Sequence, residues 1–246
     1  MVVIGRLVEF GLRLAPFLRF FAQQAALSHA VMGFPDPMFP KLPTIYPITD
    51  KALSGLSHAE QVARLIDGGA TLIQLRDKES APKDFLRDAE AAKRIADQNS
   101  VQLIINDRVD IAIALAATGV HLGQSDLPAQ VARRLLKQGS VVGFSTHDLG
   151  QVRIAAAAPI DYIAFGPIFS TNTKLDHEPS VGLAQLEAAT RIVPHIPVVA
   201  IGGITAANCR SVLEAGASSV AVISAAVGDG ARIAPNMRRL IGLTCQ

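Results

Sequence analysis

The sequence predicts an α/β protein, a single (β/α)8 TIM barrel that follows an N-terminal extension. Short apolar runs rich in β-branched residues alternate with alanine- and leucine-rich stretches of helical period. The alternation gives eight strand–helix units in about 200 residues, the size of a small barrel of this kind. Half of the residues are hydrophobic and 18% are charged, which provides for a large core.

The first 41 residues differ from the rest and are predicted to form a helical or disordered extension that ends in a proline-rich linker, residues 33–40. Residues 1–30 are apolar, carry three arginines and one acid, and are too interrupted for a stable membrane span. A targeting or membrane-surface role stays open, as does a dispensable extension with Met32 or Met38 as the true start. The barrel domain takes residues 42–246.

The strands should be short and continuously apolar, since helices cover one face of the sheet and the barrel core the other. The predicted strands are residues 44–49, 71–76, 102–106, 119–122, 141–145, 162–165, 198–201 and 220–223. The predicted helices between them are residues 58–66, 83–97, 109–116, 129–137, 150–157, 183–191, 207–214 and 231–241. Glycine-containing stretches at 67–70, 118–119 and 214–217 indicate helix ends before strands. Thr205 is predicted to be the N-cap of the seventh helix.

A doubly wound open sheet is the main alternative, because periodicity does not reveal whether a sheet closes. The glycine-rich loop that binds dinucleotides is missing after the first strand, where residues 48–52 read ITDKA, and the sequence contains no P-loop. The net charge of +2 means that any anion site must be local. No tryptophan and only two tyrosines argue against a nucleic-acid platform. Two cysteines without metal spacing favour reduced thiols in a cytoplasmic protein.

In a (β/α)8 barrel the active site forms at the carboxyl ends of the strands. At the second strand Gln74, Arg76 and Lys78 alternate with apolar or acidic neighbours, so their side chains point the same way. If they face the barrel interior, an amide and two cations line one wall and need an anionic partner, for which a diphosphate is suitable. The alternative is an internal ion pair, for example between Arg76 and Asp107.

Two carboxylates, Asp107 and Asp126, follow the third and fourth strands. Neighbouring strands lie about 4.8 Å apart, so acids at successive strand ends are able to share one cation. Mg²⁺ is favoured, since substrate phosphate oxygens and waters complete its shell, and no His/Cys cluster has zinc spacing. Asp126 taken alone has an equal alternative as the N-cap of the next helix.

The loops after strands six to eight suggest a second phosphate site. Thr171, Thr173 and Lys174 follow strand six, Gly202 and Gly203 follow strand seven, and Ser224 ends strand eight. Such loops commonly bind phosphate in this fold, with glycines that let the backbone approach the anion. His147 is interpreted as a pocket-wall or capping residue, and His121 receives no role.

The chain closely resembles the thiamine phosphate synthase family. The matching segments, in family order, are residues 46–50 (YPITD), 73–78 (IQLRDK), 103–108 (LIINDR), 119–128 (GVHLGQSDLP), 143–147 (GFSTH), 161–174 (DYIAFGPIFSTNTK), 200–204 (AIGGI) and 221–224 (AVIS). The first 40 residues have no recognised counterpart, Thr118 replaces a common acid, and residues 175–179 lie in a variable loop.

The resemblance implies a transferase that joins a pyrimidine diphosphate, 4-amino-2-methyl-5-hydroxymethylpyrimidine diphosphate, to 4-methyl-5-(2-phosphoethyl)thiazole, with release of diphosphate through a pyrimidine carbocation. Its implied pyrimidine diphosphate contacts are Gln74, Arg76, Lys78, Asn106, Ser145 and Lys174, of which Arg76, Lys78, Ser145 and Lys174 are the catalytic candidates. Its implied Mg²⁺ ligands are Asp107 and Asp126. Its implied thiazole phosphate contacts are Thr171, Thr173, Gly203, Ile223 and Ser224.

Two alternative functions stay open beside the synthase: a related thiazole tautomerase, and a non-catalytic protein that binds thiamine precursors. Retention of the diphosphate and metal residues argues against both. The expected partners are small-molecule substrates, not nucleic acid, and a homo-oligomer is compatible with the sequence.

Overall fold

The computed structural model describes residues 42–171 and 179–244, which form eight parallel strands with helices between them. The strands hydrogen-bond in the order β1-β8-β7-β6-β5-β4-β3-β2. A parallel bridge pairs Ile48 with Gln74, and Thr49 N donates to Gln74 O over 2.9 Å, so the two ends of the sheet meet. The predicted (β/α)8 barrel is therefore confirmed, and the open-sheet alternative is wrong.

The strands are short and almost wholly buried, as predicted. They are β1 Ile45–Pro47, β2 Leu72–Leu75, β3 Gln102–Asn106, β4 Gly119–Leu122, β5 Val141–Thr146, β6 Tyr162–Phe165, β7 Val198–Ile201 and β8 Ser219–Val222. The helices are α1 Lys51–Ser54, α2 His58–Asp67, α3 Pro82–Gln98, α4 Val109–Ala114, α5 Ala129–Leu135, α6 Leu149–Ala155, α7 Gly182–Ile192, α8 Cys209–Glu214, α9 Ser224–Val227 and α10 Ile233–Thr244. A 3₁₀ turn, Gly230–Arg232, precedes α10.

Four predicted strands have the observed bounds, and the other elements differ at their ends. Helix α4 ends two residues early because Ala116 adopts a left-handed conformation, with φ 47°. The assignment of Thr205 as an N-cap is wrong: α8 begins at Cys209 after Asn208, and Thr205 O accepts from Cys209 N in the preceding turn.

Two one-turn helices, α1 and α9, were not predicted. Each has only four residues, too few for a hydrophobic period. Local contacts stabilise α1, where the Asp50 carboxylate caps the helix by accepting from Leu53 N over 3.0 Å. Helix α9 follows β8 directly and begins at Ser224.

At the amino ends of β5 and β6, Arg133 joins the surrounding backbone. Its guanidinium donates to Ser140 O over 2.5 Å, to Pro159 O over 3.1 and 3.0 Å, and to the Asp161 carboxylate over 2.6 Å. Asp161 also accepts from Val142 N over 2.7 Å. This cluster ties α5 to the amino ends of β5 and β6.

Within residues 42–171 and 179–244, no helix is long and apolar enough to cross a membrane. The predicted N-terminal extension, together with Thr173 and Lys174, lies outside the described residues.

Candidate active site

A pocket opens at the carboxyl ends of the strands, where the fold places an active site. Its empty volume is about 380 Å³, including solvent at the mouth. Ten of the lining residues form five pairs whose members are two positions apart, because alternate side chains of a strand face the barrel interior. The lining comprises Tyr46, Ile48, Gln74, Arg76, Asn106, His121, Ser145, Tyr162, Ala164, Val199, Ile201, Ala221 and Ile223.

The predicted wall of Gln74, Arg76 and Lys78 is only partly inside this pocket. Gln74 and Arg76 line it, whereas the Lys78 side chain stands at the rim with 53% exposure and its ammonium contacts Asp107. The guanidinium of Arg76 lies 3.2 Å from the Asp50 carboxylate. The suggested ion pair between Arg76 and Asp107 is thus wrong: Arg76 pairs with Asp50, and Lys78 pairs with Asp107.

Buried polar residues behind β2 fix the segment that carries these cations. His58 Nδ1 lies 2.8 Å from Thr49 Oγ1, and His58 Nε2 lies 3.3 Å from the Asp77 carboxylate. Burial lowers the pKa of His58 despite the carboxylates of Asp88 and Asp77. Burial alone would raise the pKa of Asp77, but hydrogen bonds from Ser80, the Glu79 backbone and His58 outweigh it and lower that pKa. A neutral imidazole beside an ionised carboxylate is thus built into this wall.

The two predicted metal ligands are brought together. Asp107 follows β3 with φ 61°, and its N–H donates to His121 O over 2.8 Å. Its carboxylate contacts both Asp126 and Lys78. Burial, then the neighbouring Asp126, raises the pKa of Asp107, and Lys78 opposes that rise. Two adjacent carboxylates, one of which has a raised pKa because of the other, form a site suited to a cation.

Asp126 is not a helix N-cap. Helix α5 begins at Ala129 after Pro128, and the Asp126 carboxylate instead accepts from Gly123 N over 2.6 Å. The N-cap alternative is wrong for this residue because the turn between β4 and α5 separates the carboxylate from the first helical turn.

The donor set at these carboxylates fits a hard cation such as Mg²⁺. The two carboxylates favour a positive charge beside them, and the ammonium of Lys78 contacts Asp107 there. Among the described residues, no group of three His, Cys, Asp or Glu side chains could hold a metal ion, so this part of the chain offers two acidic ligands. Mg²⁺ commonly takes one or two carboxylates and completes its shell with substrate phosphates and water.

Strands β3 to β6 supply a second polar wall. Asn106 is buried and lines the pocket, and Ser145 Oγ lies 2.8 Å from His121 Nε2. Sequence reasoning named Asn106 and Ser145 but missed His121, Tyr46 and Tyr162. For His121 the only signal was a polar side chain in an otherwise apolar strand, and the two tyrosines gave none.

The loops after β6, β7 and β8 form the third side. The N–H groups of Ile168 and Phe169 donate to Ile201 O and Gly202 O over 2.9 and 3.1 Å, which joins the β6 loop to the glycine pair. Gly203 has φ 63°, and a Cβ there would come 2.6 Å from Ser170 O, so this close approach requires glycine.

The remaining predicted residues of this side lie near the same loops. Ile223 lines the pocket, and the exposed Ser224 begins α9. Thr171 is half-buried at the end of the described β6 loop. His147 holds that loop, since its Nδ1 lies 2.7 Å from Gly166 O while its N–H donates to Gln151.

The fold and pocket define a (β/α)8 enzyme with cations and carboxylates gathered at the catalytic rim. The family profile described as thiamine monophosphate synthase matches residues 45–226. The chain belongs to this family.

Relatives and solved structures agree with this assignment. The thiamine-phosphate synthase of Albidiferax ferrireducens is 44% identical over 200 residues, covering 80% of this chain and 91% of that protein. That of Methanoculleus marisnigri is 44% identical over 187 residues and is covered to 88%. The structure of thiamine phosphate pyrophosphorylase from Pyrococcus furiosus is 33% identical with a TM-score of 0.72, covering 82% of this chain and 96% of that one.

Proposed function

We propose that the protein joins 4-amino-2-methyl-5-hydroxymethylpyrimidine diphosphate to 4-methyl-5-(2-phosphoethyl)thiazole, giving thiamine phosphate and diphosphate. A bond forms between the thiazole nitrogen and the pyrimidine methylene carbon, and the bond from that carbon to the diphosphate oxygen breaks. The observation that carries the proposal is the meeting of the Arg76 and Lys78 cations with the Asp107–Asp126 pair at one rim of a barrel of this family.

The first role of the site is to help the diphosphate leave. Arg76 is able to grip two phosphate oxygens, while Lys78 acts as a point charge. Both are held by carboxylates in the structure, Asp50 and Asp107, so an incoming diphosphate exchanges one anionic partner for another. Lys174 is assigned to the same role by its family resemblance.

Asp107 and Asp126 are the residues that would hold Mg²⁺, which when bound supplies positive charge to the departing diphosphate. The raised pKa of Asp107 reflects the cost of placing two carboxylates together. A cation or the Lys78 ammonium offsets that cost. The chain's own contribution is to keep both acids in one place through the left-handed backbone at Asp107 and the Gly123 N–H at Asp126.

The pyrimidine is assigned to the pocket interior, beside Gln74, Asn106 and Ser145. The thiazole phosphate is assigned to Gly203, Ile223 and Ser224, with Thr171 and Thr173 from the loop after β6. These two positions place the two substrates over the same barrel mouth. Holding them close makes the bond-forming step effectively unimolecular.

The two alternatives have less support. A thiazole tautomerase or a precursor-binding protein has no need of the paired carboxylates and their facing cations. The named relatives are synthases. The proposal also includes Mg²⁺ dependence, a cytoplasmic location, and small molecules rather than nucleic acid as ligands.

The experiment that tests the function is direct. The purified full chain is mixed with both precursors and Mg²⁺, and the products are separated by chromatography. We expect thiamine phosphate and diphosphate in equal amounts, and no turnover when Mg²⁺ is replaced by a chelator. Absence of product with both precursors and Mg²⁺ present would contradict the proposal.

A further inference from the structure

Five polar side chains form a continuous hydrogen-bond chain across the floor of the pocket, from β2 to β5. Gln74 Nε2 donates to Tyr46 Oη over 3.1 Å, and Tyr46 Oη lies 3.2 Å from Tyr162 Oη. Tyr162 Oη lies 2.9 Å from His121 Nδ1, and His121 Nε2 lies 2.8 Å from Ser145 Oγ. Its two ends, Gln74 and Ser145, are both assigned to the pyrimidine above.

The Gln74 end sets the direction of the chain. With the Gln74 amide donating to Tyr46, the direction in which every hydroxyl of this chain both accepts and donates has Tyr46 donating to Tyr162. The Tyr162 hydroxyl then donates to His121 Nδ1, which requires the tautomer with hydrogen on Nε2. That Nε2–H donates to Ser145 Oγ, and the Ser145 hydroxyl hydrogen is left to point at a ligand.

The two ends are therefore coupled. If the Gln74 amide presented its oxygen to Tyr46, every bond would reverse, His121 would carry its hydrogen on Nδ1, and Ser145 would become an acceptor for the ligand. Tyr46 and Tyr162 are fully buried, and burial comes first among the causes that raise both their pKa values, so both hydroxyls keep their hydrogens. Within this hydrogen-bond chain, each hydroxyl has one hydrogen to donate.

The surrounding barrel leaves space for the side chains of this hydrogen-bond chain. Gly143 lies between His121 and Tyr162 in the strand register. A Cβ at Gly143 would come within 2.4 Å of the Tyr162 hydroxyl oxygen. The His121 ring stacks on the Tyr162 ring with centroids 5.5 Å apart. The absence of a side chain at Gly143 leaves space for the Tyr162 hydroxyl, and the stacked His121 ring fixes its position.

We infer that this chain is a one-way hydrogen-bond relay that makes Ser145 a hydrogen-bond donor, so that the pocket selects a ring with an acceptor nitrogen at that position. The inference rests on the proposed function for the identity of the ring, an aminopyrimidine. Tyr46, Tyr162 and His121 are positioning residues, since they act through Ser145. A buried polar contact of this kind rejects an analogue that lacks the matching atom.

The first test reads the tautomer of His121 in the unaltered full chain. Nitrogen NMR on protein labelled with ¹⁵N-histidine separates a protonated ring nitrogen from an unprotonated one. The His121 signals are assigned by their loss in His121→Gln, and independently by the shift of Nδ1 in Tyr162→Phe. We expect hydrogen on Nε2 at neutral pH. Hydrogen on Nδ1, alone or with Nε2, would overturn the relay, and the result does not depend on turnover.

The second test measures binding by calorimetry with the pyrimidine diphosphate and two analogues, each with one ring nitrogen replaced by C–H. The wild-type protein should bind the analogue that lacks the nitrogen facing Ser145 about tenfold more weakly than it binds the parent pyrimidine diphosphate. Tyr162→Phe keeps the stacked ring, and should weaken the parent about tenfold and abolish the discrimination. Inorganic diphosphate should bind both proteins alike.

The control is Thr146→Val, which removes another buried hydroxyl of β5 that donates to Ala164 O and takes no part in the relay. It should keep the wild-type discrimination. Full discrimination in Tyr162→Phe would overturn the inference. Failure of the proposed function is distinct, because it is the absence of thiamine phosphate with the wild-type chain, whatever the tautomer.

Discussion

Charged side chains are arranged differently at the two ends of the barrel. At the amino ends of β5 and β6, the Arg133 guanidinium meets the Asp161 carboxylate over 2.6 Å and three further carbonyl contacts from the surrounding chain. At the carboxyl ends of the strands, Asp107 contacts a second carboxylate, Asp126, and one cation that is half-exposed, Lys78. At one end the cation and the carboxylate face each other and backbone groups, and at the other two carboxylates lie together beside a single half-exposed cation.

Because of this difference, we expect the charges at the amino ends to contribute to stability and those at the carboxyl ends to contribute to activity. Charges that are fully hydrogen-bonded inside the chain hold strands together, and removing one leaves a partner uncompensated. Charges that repel each other in the unliganded protein, such as those that raise the pKa of Asp107, contribute little to folding and much to binding a cation or an anion. Substitutions at the two ends should therefore affect different measurements.

The largest effect is expected for Asp107→Ala. Loss of one of the two carboxylates should lower kcat/KM by about 100-fold, which is roughly 3 kcal/mol of transition-state stabilisation. The free energy of unfolding should change by no more than about 1 kcal/mol, because relief of the contact with Asp126 offsets the loss of the half-exposed ion pair with Lys78. Steady-state kinetics at saturating Mg²⁺ and urea unfolding measure the two quantities.

The matched control is Asp110→Ala, three residues further along the same segment. Asp110 pairs with Arg108 at 2.5 Å on the surface, away from the pocket lining. Its kcat/KM should stay near the wild-type value. Full activity in Asp107→Ala would contradict the assignment of this acid to the metal site.

Arg133→Ala should have the opposite signature. It leaves the Asp161 carboxylate without its cation and removes the contacts to Ser140 O and Pro159 O. We expect a loss of about 2–3 kcal/mol in the free energy of unfolding, with kcat/KM unchanged at a temperature where the protein is folded. Urea unfolding checks this against Arg134→Ala, a neighbouring exposed arginine. A loss of activity in folded Arg133→Ala would break the comparison between the two ends.

The sequence was sufficient for the barrel because its signals are local and repeated. Buried strands such as 102–106 and 162–165 are continuous apolar runs, and their bounds were predicted as observed. Asp107 and Asp126 could be placed together because adjacent strand ends are neighbours once the barrel is assumed. The partner of Arg76 could not be predicted, since Asp50 is the N-cap of a one-turn helix that has no period of its own.

The relay behind Ser145 was also beyond the sequence. Tyr46 and Tyr162 are separated by 116 positions and come from strands that are not neighbours in the sheet, so only the closed barrel brings their hydroxyls together. Each reads as one more apolar residue of a buried strand. His121 is likewise a single polar residue in a four-residue strand, with no spacing that indicates its role.

A smaller effect should come from His58, which lies behind the cations of the catalytic end. Burial lowers its pKa in the folded protein. Below the unfolded pKa of about 6.5 the unfolded chain therefore binds a proton that the folded chain does not, so the free energy of unfolding falls as the pH falls. The slope is at most ~1.4 kcal/mol per pH unit for this group.

Urea unfolding between about pH 7.5 and 5 measures that slope, in a window above the titration range of ordinary carboxylates. His58→Gln should flatten it, and the exposed His195→Gln should keep it. An unchanged slope in folded His58→Gln would mean that the acid sensitivity arises elsewhere.

The smallest effect is expected for removal of residues 1–41. The family match begins at residue 45, and the described barrel begins at Leu42, whose side chain is already buried in the core. The pocket-lining residues named above and the Arg133 cluster belong to the described barrel. The shortened chain should therefore keep kcat/KM within about twofold and keep its free energy of unfolding, as expected when residues that precede the family match are removed. Kinetics and urea unfolding on both chains decide this. A large loss of activity with unchanged stability would mean that the first 41 residues serve the catalytic end, and a loss of stability alone would mean that they serve the barrel.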